Sequence, residues 1–178
     1  GSEFKIGYAP TSWRSLSNFL LTKKNFSLED TLSSGLVKQT DSKDKYFDMF
    51  RSRVVFPIRD WGGKIVGFTA RALTNEEPKY LNISETELFH KGTLFFGIDK
   101  AKVQIKKENL AIIVEGQLDV ISAHQAGFTN VIGTSGTAVM YDQLSKLSKL
   151  TKDVAFCFDN DSAGISASER AIELAESQ

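Results

Sequence analysis

Beyond residue 110 the chain alternates short, almost wholly apolar runs with helical patterns, and this alternation limits the fold more than any other feature. "LAIIVEG" (110–116), "NVIGT" (130–134) and "DVAFCFD" (153–159) have strand length and little polar character. Between them "LDVISAHQAG" reads as a short helix closed by Gly127. "VMYDQLSKLSKL" sets Met140, Leu144 and Leu147 at helical spacing, with Lys146 and Lys149 outward. "SAGISASERAIELAES" reads as a further helix. Apolar strands separated by helices predict an α/β fold whose parallel sheet is covered on both faces.

Upstream the pattern changes. "LSNFLL" and "SLEDTLSSG" predict short helices, the second with Ser27 as its N-cap. "RVVFPIRD", "WGG" and "KIVGFTAR" predict a hairpin turned by glycines, and Pro57 points to an edge strand or a bulge. "KYLNISETELFHKG" (79–92) is polar and irregular, which predicts a loop rich in hydrogen-bond donors. No internal repeat or low-complexity linker is present. Residues 1–3 read as a cloning remnant, 4–105 as a mixed α+β subdomain and 106–178 as the α/β domain, joined near residues 100–110.

A net charge of zero conceals a division. Residues 1–110 carry 18 Lys/Arg against 13 Asp/Glu, a surplus of five; residues 111–178 carry 4 against 9, a deficit of five. A basic nucleic-acid surface beside an acidic metal site has this pattern, and so do ordinary solvated faces. Cys157 is the single cysteine, so no internal disulfide can form, and zinc is not expected with so few Cys and His. Within "VAFCF" it reads as a small buried hydrophobe. No apolar run approaches the roughly 18–20 residues of a membrane helix, and a cytosolic setting is expected.

Open parallel sheets bind ligands at the carboxyl ends of their strands. Glu115 ends the first apolar strand and Asp159 the third, and these strands are neighbours in the common doubly wound order. Asp161, two residues on, can project to the same side. Carboxylates brought together there would repel unless a divalent cation joined them, and oxygen-only ligands favour Mg²⁺ or Mn²⁺. Helix capping accounts equally well for Asp119, and capping of the last helix is the alternative for Asp161 or Ser162. A calcium loop fits "DNDSAG" only at first, because its fifth position is Ala163 and its twelfth Arg170. An aspartyl-nucleophile phosphohydrolase also places Asp-x-Asp after a strand, but leaves Glu115 and the first half unexplained. His90 and His124 read as structural.

"VEGQLDV" followed by "FDNDSAG" resembles the Toprim signature, which occurs in primases, topoisomerases, nucleases and recombination proteins. The upstream stretches "GYAP", "FRSRVVFPIRD", "GFTARAL", "PKYLNISET" and "LFHKG" resemble, in order, the basic subdomain of bacterial DnaG-type primases. "HQAGFTNVIGTSGTA" continues the likeness, which runs from about Phe4 to the end. The resemblance implies a Toprim domain, a Rossmann-like parallel sheet with flanking helices, preceded by a mixed α+β basic subdomain. It implies a DNA-directed RNA polymerase that makes short RNA primers on single-stranded DNA, in the bacterial cytoplasm, from nucleoside triphosphates.

On that likeness Glu115, Asp159 and Asp161 correspond to catalytic and metal-site carboxylates for two Mg²⁺ or Mn²⁺ ions, and Asp119 to a further acidic position. Arg51, Arg53, Arg71, Lys79, Tyr80, Asn82 and Lys91 correspond to a patch for template and nucleotide. Arginine forks and lysine point charges suit a polyanion. Arg59 and Lys64 read as solvated hairpin charges. The family's zinc-binding domain, its domain for the replicative helicase and a further acidic pair are not in the sequence, so the expectation is a truncated, monomeric core. The competing readings are a Toprim nuclease or topoisomerase, and a non-catalytic single-strand-binding module.

Overall fold

The computed structural model describes residues 3–41, 45–136 and 138–176. Residues 1 and 2, most of the stretch read as a cloning remnant, lie outside the described residues. The chain divides into two compact units: residues up to 57 with 67–89, and residues 58–66 with those from 90 onward.

Strands β1 (Gly7–Ala9), β4 (Arg53–Arg59), β5 (Ile65–Ala72) and β6 (Tyr80–Asn82) form a sheet in the order β1-β4-β5-β6, of which residues 58–59 and 65–66 count with the second unit. Strands β2 (Val37–Gln39) and β3 (Tyr46–Asp48) pair separately as an antiparallel hairpin. The first predicted helix is α1 (Ser15–Asn18), running into a π-helical turn over Phe19–Lys23. The second is α2 (Leu28–Ser33), where Ser27 Oγ accepts the Asp30 N–H at 3.0 Å. This is the predicted cap.

The hairpin β4–β5 forms as expected. Asp60 Oδ1 accepts the N–H groups of Gly62 and Lys64, each at 2.9 Å, and Gly63 takes φ +88°, which glycine tolerates without strain. Pro57 lies in an interior strand, yet β1 pairs only with Arg53, Val54 and Val55. Its missing N–H therefore falls beyond the reach of β1, an edge in local terms. The loop predicted over 79–92 needs correction, because it contains β6, whose Tyr80–Asn82 pair with Arg71–Thr69. Its ends are fixed by the buried Ile83 and Phe89. A Cβ at Gly67 would stand 2.9 Å from the Phe89 ring, so only glycine admits that ring against β5.

The second unit holds a helix where the sequence suggested only a join. Helix α3 (Ile98–Glu108) is bracketed by Gly97 and Asn109, both left-handed, and buries Ile98, Ala101 and Ile105 on one face. Strands β7 (Ala111–Val114), β8 (Val131–Gly133) and β9 (Val154–Cys157) then form a parallel sheet in the order β8-β7-β9. Helices α4 (Gln117–Gln125), α5 (Tyr141–Leu147) and α6 (Ser162–Glu176) alternate with them, as predicted. Ile113, Ile132, Phe95 and Leu147 meet Ile98 and Ile105 in one core. The buried His124 bonds the Val131 carbonyl through Nε2 at 2.8 Å, tying α4 to β8.

Two expectations fail here. Cys157 is exposed, because it ends an edge strand paired only with β7. Met140 is half exposed: it precedes α5, where its N–H donates to Gln143 Oε1 at 2.9 Å, while Leu144 and Leu147 alone face the core. Among the described residues no helix is long and apolar enough to cross a membrane.

Candidate functional site

The register of the parallel sheet sets Val114 beside Cys157, so Glu115 and the 158–159 segment leave it at the same carboxyl edge. Glu115 Oε1 accepts the Asp159 N–H at 3.0 Å, joining the two strand ends. The Glu115 carbonyl accepts the Gly136 N–H and the Thr134 hydroxyl, each at 3.3 Å, which ties the same edge to the loop after β8. Glu115 is half-buried; Asp159 and Asp161 are exposed. A cleft of about 840 Å³ opens here, with Glu115, Tyr141, Phe158, Arg170 and Glu173 among its walls.

The other acids have local partners. Asp161 Oδ1 accepts the Gly164 N–H at 2.8 Å, and its carbonyl accepts the Ile165 N–H at 3.0 Å, so it caps α6. Asp119 Oδ2 accepts the Gly116 N–H at 3.1 Å at the start of α4. Gly164 makes the edge possible: a Cβ there would stand 2.9 Å from the Asp159 carbonyl carbon, 3.1 Å from its nitrogen, and overlap its oxygen. Sequence reasoning did not single Gly164 out, although a glycine inside a helical pattern costs stability relative to alanine and so invites a packing reason.

Among the described residues no group of three or more His, Cys, Asp or Glu stands ready to hold a metal ion. The structure brings Glu115 and Asp159 together, with Asp161 two residues on and Asp119 committed to its own helix. Such a donor set fits Mg²⁺ or Mn²⁺, which bind through one or two carboxylates and leave remaining positions to water or phosphate. It does not fit zinc, which prefers sulfur and nitrogen ligands.

The first unit carries the basic residues. Arg71 lies opposite Tyr80 across β5 and β6, its guanidinium carbon 5.9 Å from the ring centroid. Its Nε is buried, with no hydrogen-bond partner among the described residues. Lys79 and Tyr80 are exposed, and Asn82 pairs with Thr69. Arg53 differs, being buried with Nη1 donating to the carbonyls of Pro78 at 2.7 Å and Lys79 at 3.3 Å. Arg51 donates to the Asp48 carbonyl and stacks on Trp13. Lys91 belongs to the second unit, opening a 3₁₀ turn over Lys91–Thr93. In that unit Arg59, read from sequence as solvated, donates to the Gly63 carbonyl at 2.6 Å and lies 3.9 Å from Asp99.

Residues 1–102 match the family described as the N-terminal domain of the DNA primase catalytic core, and residues 112–178 match a Toprim-like family. The DNA primase of a Synechocystis strain is 43% identical over 176 residues, covering 98% of this chain and 28% of that protein. The DNA primase of Halalkalibacterium halodurans is 41% identical over 175 residues, with 98% and 29% covered. Among solved structures, a DNA primase domain from Pseudomonas aeruginosa superposes with a TM-score of 0.88 at 38% identity, covering 97% of this chain and 54% of that one. A DnaG primase catalytic domain bound to single-stranded DNA gives 0.85 at 35% identity, covering 98% and 54%. The chain thus spans under a third of the curated relatives' length and about half of the solved chains. With both matches in order and the likeness running through nearly every residue, the chain belongs to the bacterial DnaG-type DNA primase family, as a catalytic-core N-terminal domain followed by a Toprim domain.

Proposed function

We propose that this chain is the part of a primase core that joins ribonucleotides on a single-stranded DNA template, in the bacterial cytoplasm. One observation carries the reading: the Asp159 N–H bonded to Glu115 Oε1, which holds two acidic residues together where parallel strands end. Glu115 and Asp159 would hold divalent metal, Asp161 would complete the set, and Asp119 would lie at its margin. When bound, Mg²⁺ or Mn²⁺ at one or two positions would neutralise the triphosphate and favour ionisation of the attacking 3′-hydroxyl. Glu115 keeps its direction through the Asp159 N–H, and its backbone is fixed by Thr134 and Gly136.

On the first unit, Arg71 supports the reading with a buried Nε that finds no partner among the described residues. Arg51, Lys79, Tyr80 and Asn82 would serve template and nucleotide on this unit; Lys91 would contribute a separate positive charge on its own unit. Arg53 would act as a positioning residue, since its guanidinium holds the backbone at Pro78 and Lys79. A replicative helicase would be a partner of the longer protein.

The capping bonds of Asp161 and Asp119 favour a second reading, in which the acids are structural and the chain only binds single strands. Calorimetric titration with Mn²⁺, then ATP, separates the two. Wild type should bind Mn²⁺ and take up ATP only with it. Glu115→Gln preserves the acceptor for Asp159 N–H, and Asp159→Asn preserves volume, so each should fold and lose about tenfold in Mn²⁺ affinity. Equal Mn²⁺ binding by all three proteins would sink the catalytic reading.

A further inference from the structure

Gln143 lies in the first turn of α5 and is fully buried, although glutamine is normally a surface residue. Both ends of its amide are used. Oε1 accepts the Met140 N–H at 2.9 Å, and Nε2 donates to the Leu94 carbonyl at 2.7 Å, 49 residues away along the chain. The first bond caps α5, a task for which an acceptor suffices and which an exposed glutamate performs as well. A cap therefore does not account for the burial. An amide sunk in a protein is costly unless its donor also finds a partner. Here that partner is Leu94, the residue that ends the 3₁₀ turn carrying Lys91.

Two further contacts fasten the same segment. Phe96 and Gly133 exchange backbone hydrogen bonds at 2.8 and 3.0 Å, which joins it to the end of β8. Gly92 closes against Met140, since a Cβ added there would stand 3.2 Å from Met140 Cγ. Just beyond Gly133 the chain reaches Thr134 and Gly136, which bond the Glu115 carbonyl. A connected path thus runs from the turn of Lys91, through Gln143 and the β8–α5 connection, to the backbone of Glu115, all within the second unit. Gln143 spans two of its segments with a single side chain. Lysine is a point charge on a flexible stem, so where it acts depends on how firmly its backbone is held.

We infer that Gln143 is a positioning residue for nucleotide uptake, holding the Lys91 turn against the connection that fixes Glu115. This rests on the reading above, with the Lys91 charge serving the nucleotide. Gln143→Met keeps the length of the side chain and removes both bonds. ATP titrated into the Mn²⁺-loaded variant should bind about 3- to 10-fold more weakly than to wild type. Its Mn²⁺ affinity should stay within about twofold, because the carboxylates are untouched. Lys91→Ala should weaken ATP by a similar factor, and adding Gln143→Met to it should cause little further loss, the mark of two residues acting through one contact. Should Gln143→Met fail to fold, Gly92→Val pushes the same turn off Met140 and should give the same ATP loss, again absent in the Lys91→Ala background. Unchanged ATP affinity in the variant, full additivity with Lys91→Ala, or a parallel loss of Mn²⁺ affinity overturns the positioning role while leaving the acidic site intact. Wild-type ATP affinity in Lys91→Ala overturns the reading of Lys91, and this inference with it.

Discussion

The two units hold charge in opposite ways. In the first, the guanidinium groups are set by groups already in the protein: Arg53 by two carbonyls, Arg51 by an indole and a carbonyl, Arg14 by a phenol ring and a carbonyl. In the second, carboxylates sit at the open edge of a sheet and are set by backbone N–H groups, Glu115 from Asp159 and Asp161 from Gly164. A long cationic side chain loses much rotamer freedom when fixed, so packing along its length is the effective way to aim it. A short carboxylate needs only its backbone placed. The geometry of the acidic edge therefore depends on main-chain contacts and that of the basic face on side-chain stacking, which makes them breakable by different substitutions.

The largest effect is expected from adding one methyl group at the acidic edge. Gly164→Ala forces a Cβ into the Asp159 backbone, which cannot rotate aside, so the strand end or the helix must move. A loss of roughly 3 kcal/mol is expected from overpacking of this kind. Gly7→Ala is the control from the other unit: nothing lies within 4 Å of its added Cβ, and the change should stay within about 0.5 kcal/mol. Urea denaturation of both variants checks the contrast. Similar midpoints would mean that the edge has slack and that main-chain contact does not set it.

Next in size is Asp48→Ala, which attacks the basic face from behind. The carboxylate is buried and satisfies the N–H groups of Leu16 and Ser17, so its removal strands donors at the start of α1. About 2 kcal/mol should be lost. Because the same residue supports Trp13 and Arg51 through its backbone, the anisotropy of Trp13, read in a Trp61→Phe background that removes the second tryptophan, should fall while Mn²⁺ binding by the second unit stays unchanged. An undisturbed Trp13 signal would show that stacking alone orders the indole.

The sequence made the second unit more legible than the first, and the reason is the apolar character of its strands. Strands such as "AIIV" and "VAFC" are apolar enough to read directly, and their parallel pairing follows from the helices between them. Gly7–Ala9, Val37–Gln39 and Tyr46–Asp48 have three residues each, too few for alternation to register, and exist because a partner strand is present. Helix α3 was missed although Ile98, Ala101 and Ile105 are spaced for one face, since "KVQIKKEN" is dominated by charge. At the site, Glu115 and Asp159 were readable from strand ends. The burial of Arg53 was not, because it depends on carbonyls 25 and 26 residues away. Nor was the indole of Trp13, whose neighbours in "PTSWRS" say nothing of Asp48.

The smallest expected effect on stability is the most informative about the acidic edge, because the Asp161 side chain has one local bond to account for it. Asp161→Asn keeps an oxygen that can accept the Gly164 N–H, so stability should hold within about 0.5 kcal/mol; Asp161→Ala removes the acceptor and should cost about 1 kcal/mol. A residue that serves only as a cap would follow this pattern in every assay. A residue that also meets metal would separate the two properties, since asparagine supplies the capping oxygen but not the charge. The expected outcome is therefore that Asp161→Asn is as stable as wild type yet binds Mn²⁺ several-fold more weakly, matching Asp161→Ala in affinity though not in stability. Thermal melts and calorimetric titration of the three proteins read both quantities. If Asp161→Asn retains wild-type Mn²⁺ affinity, Asp161 is a helix cap alone, and the acidic edge reduces to Glu115 and Asp159.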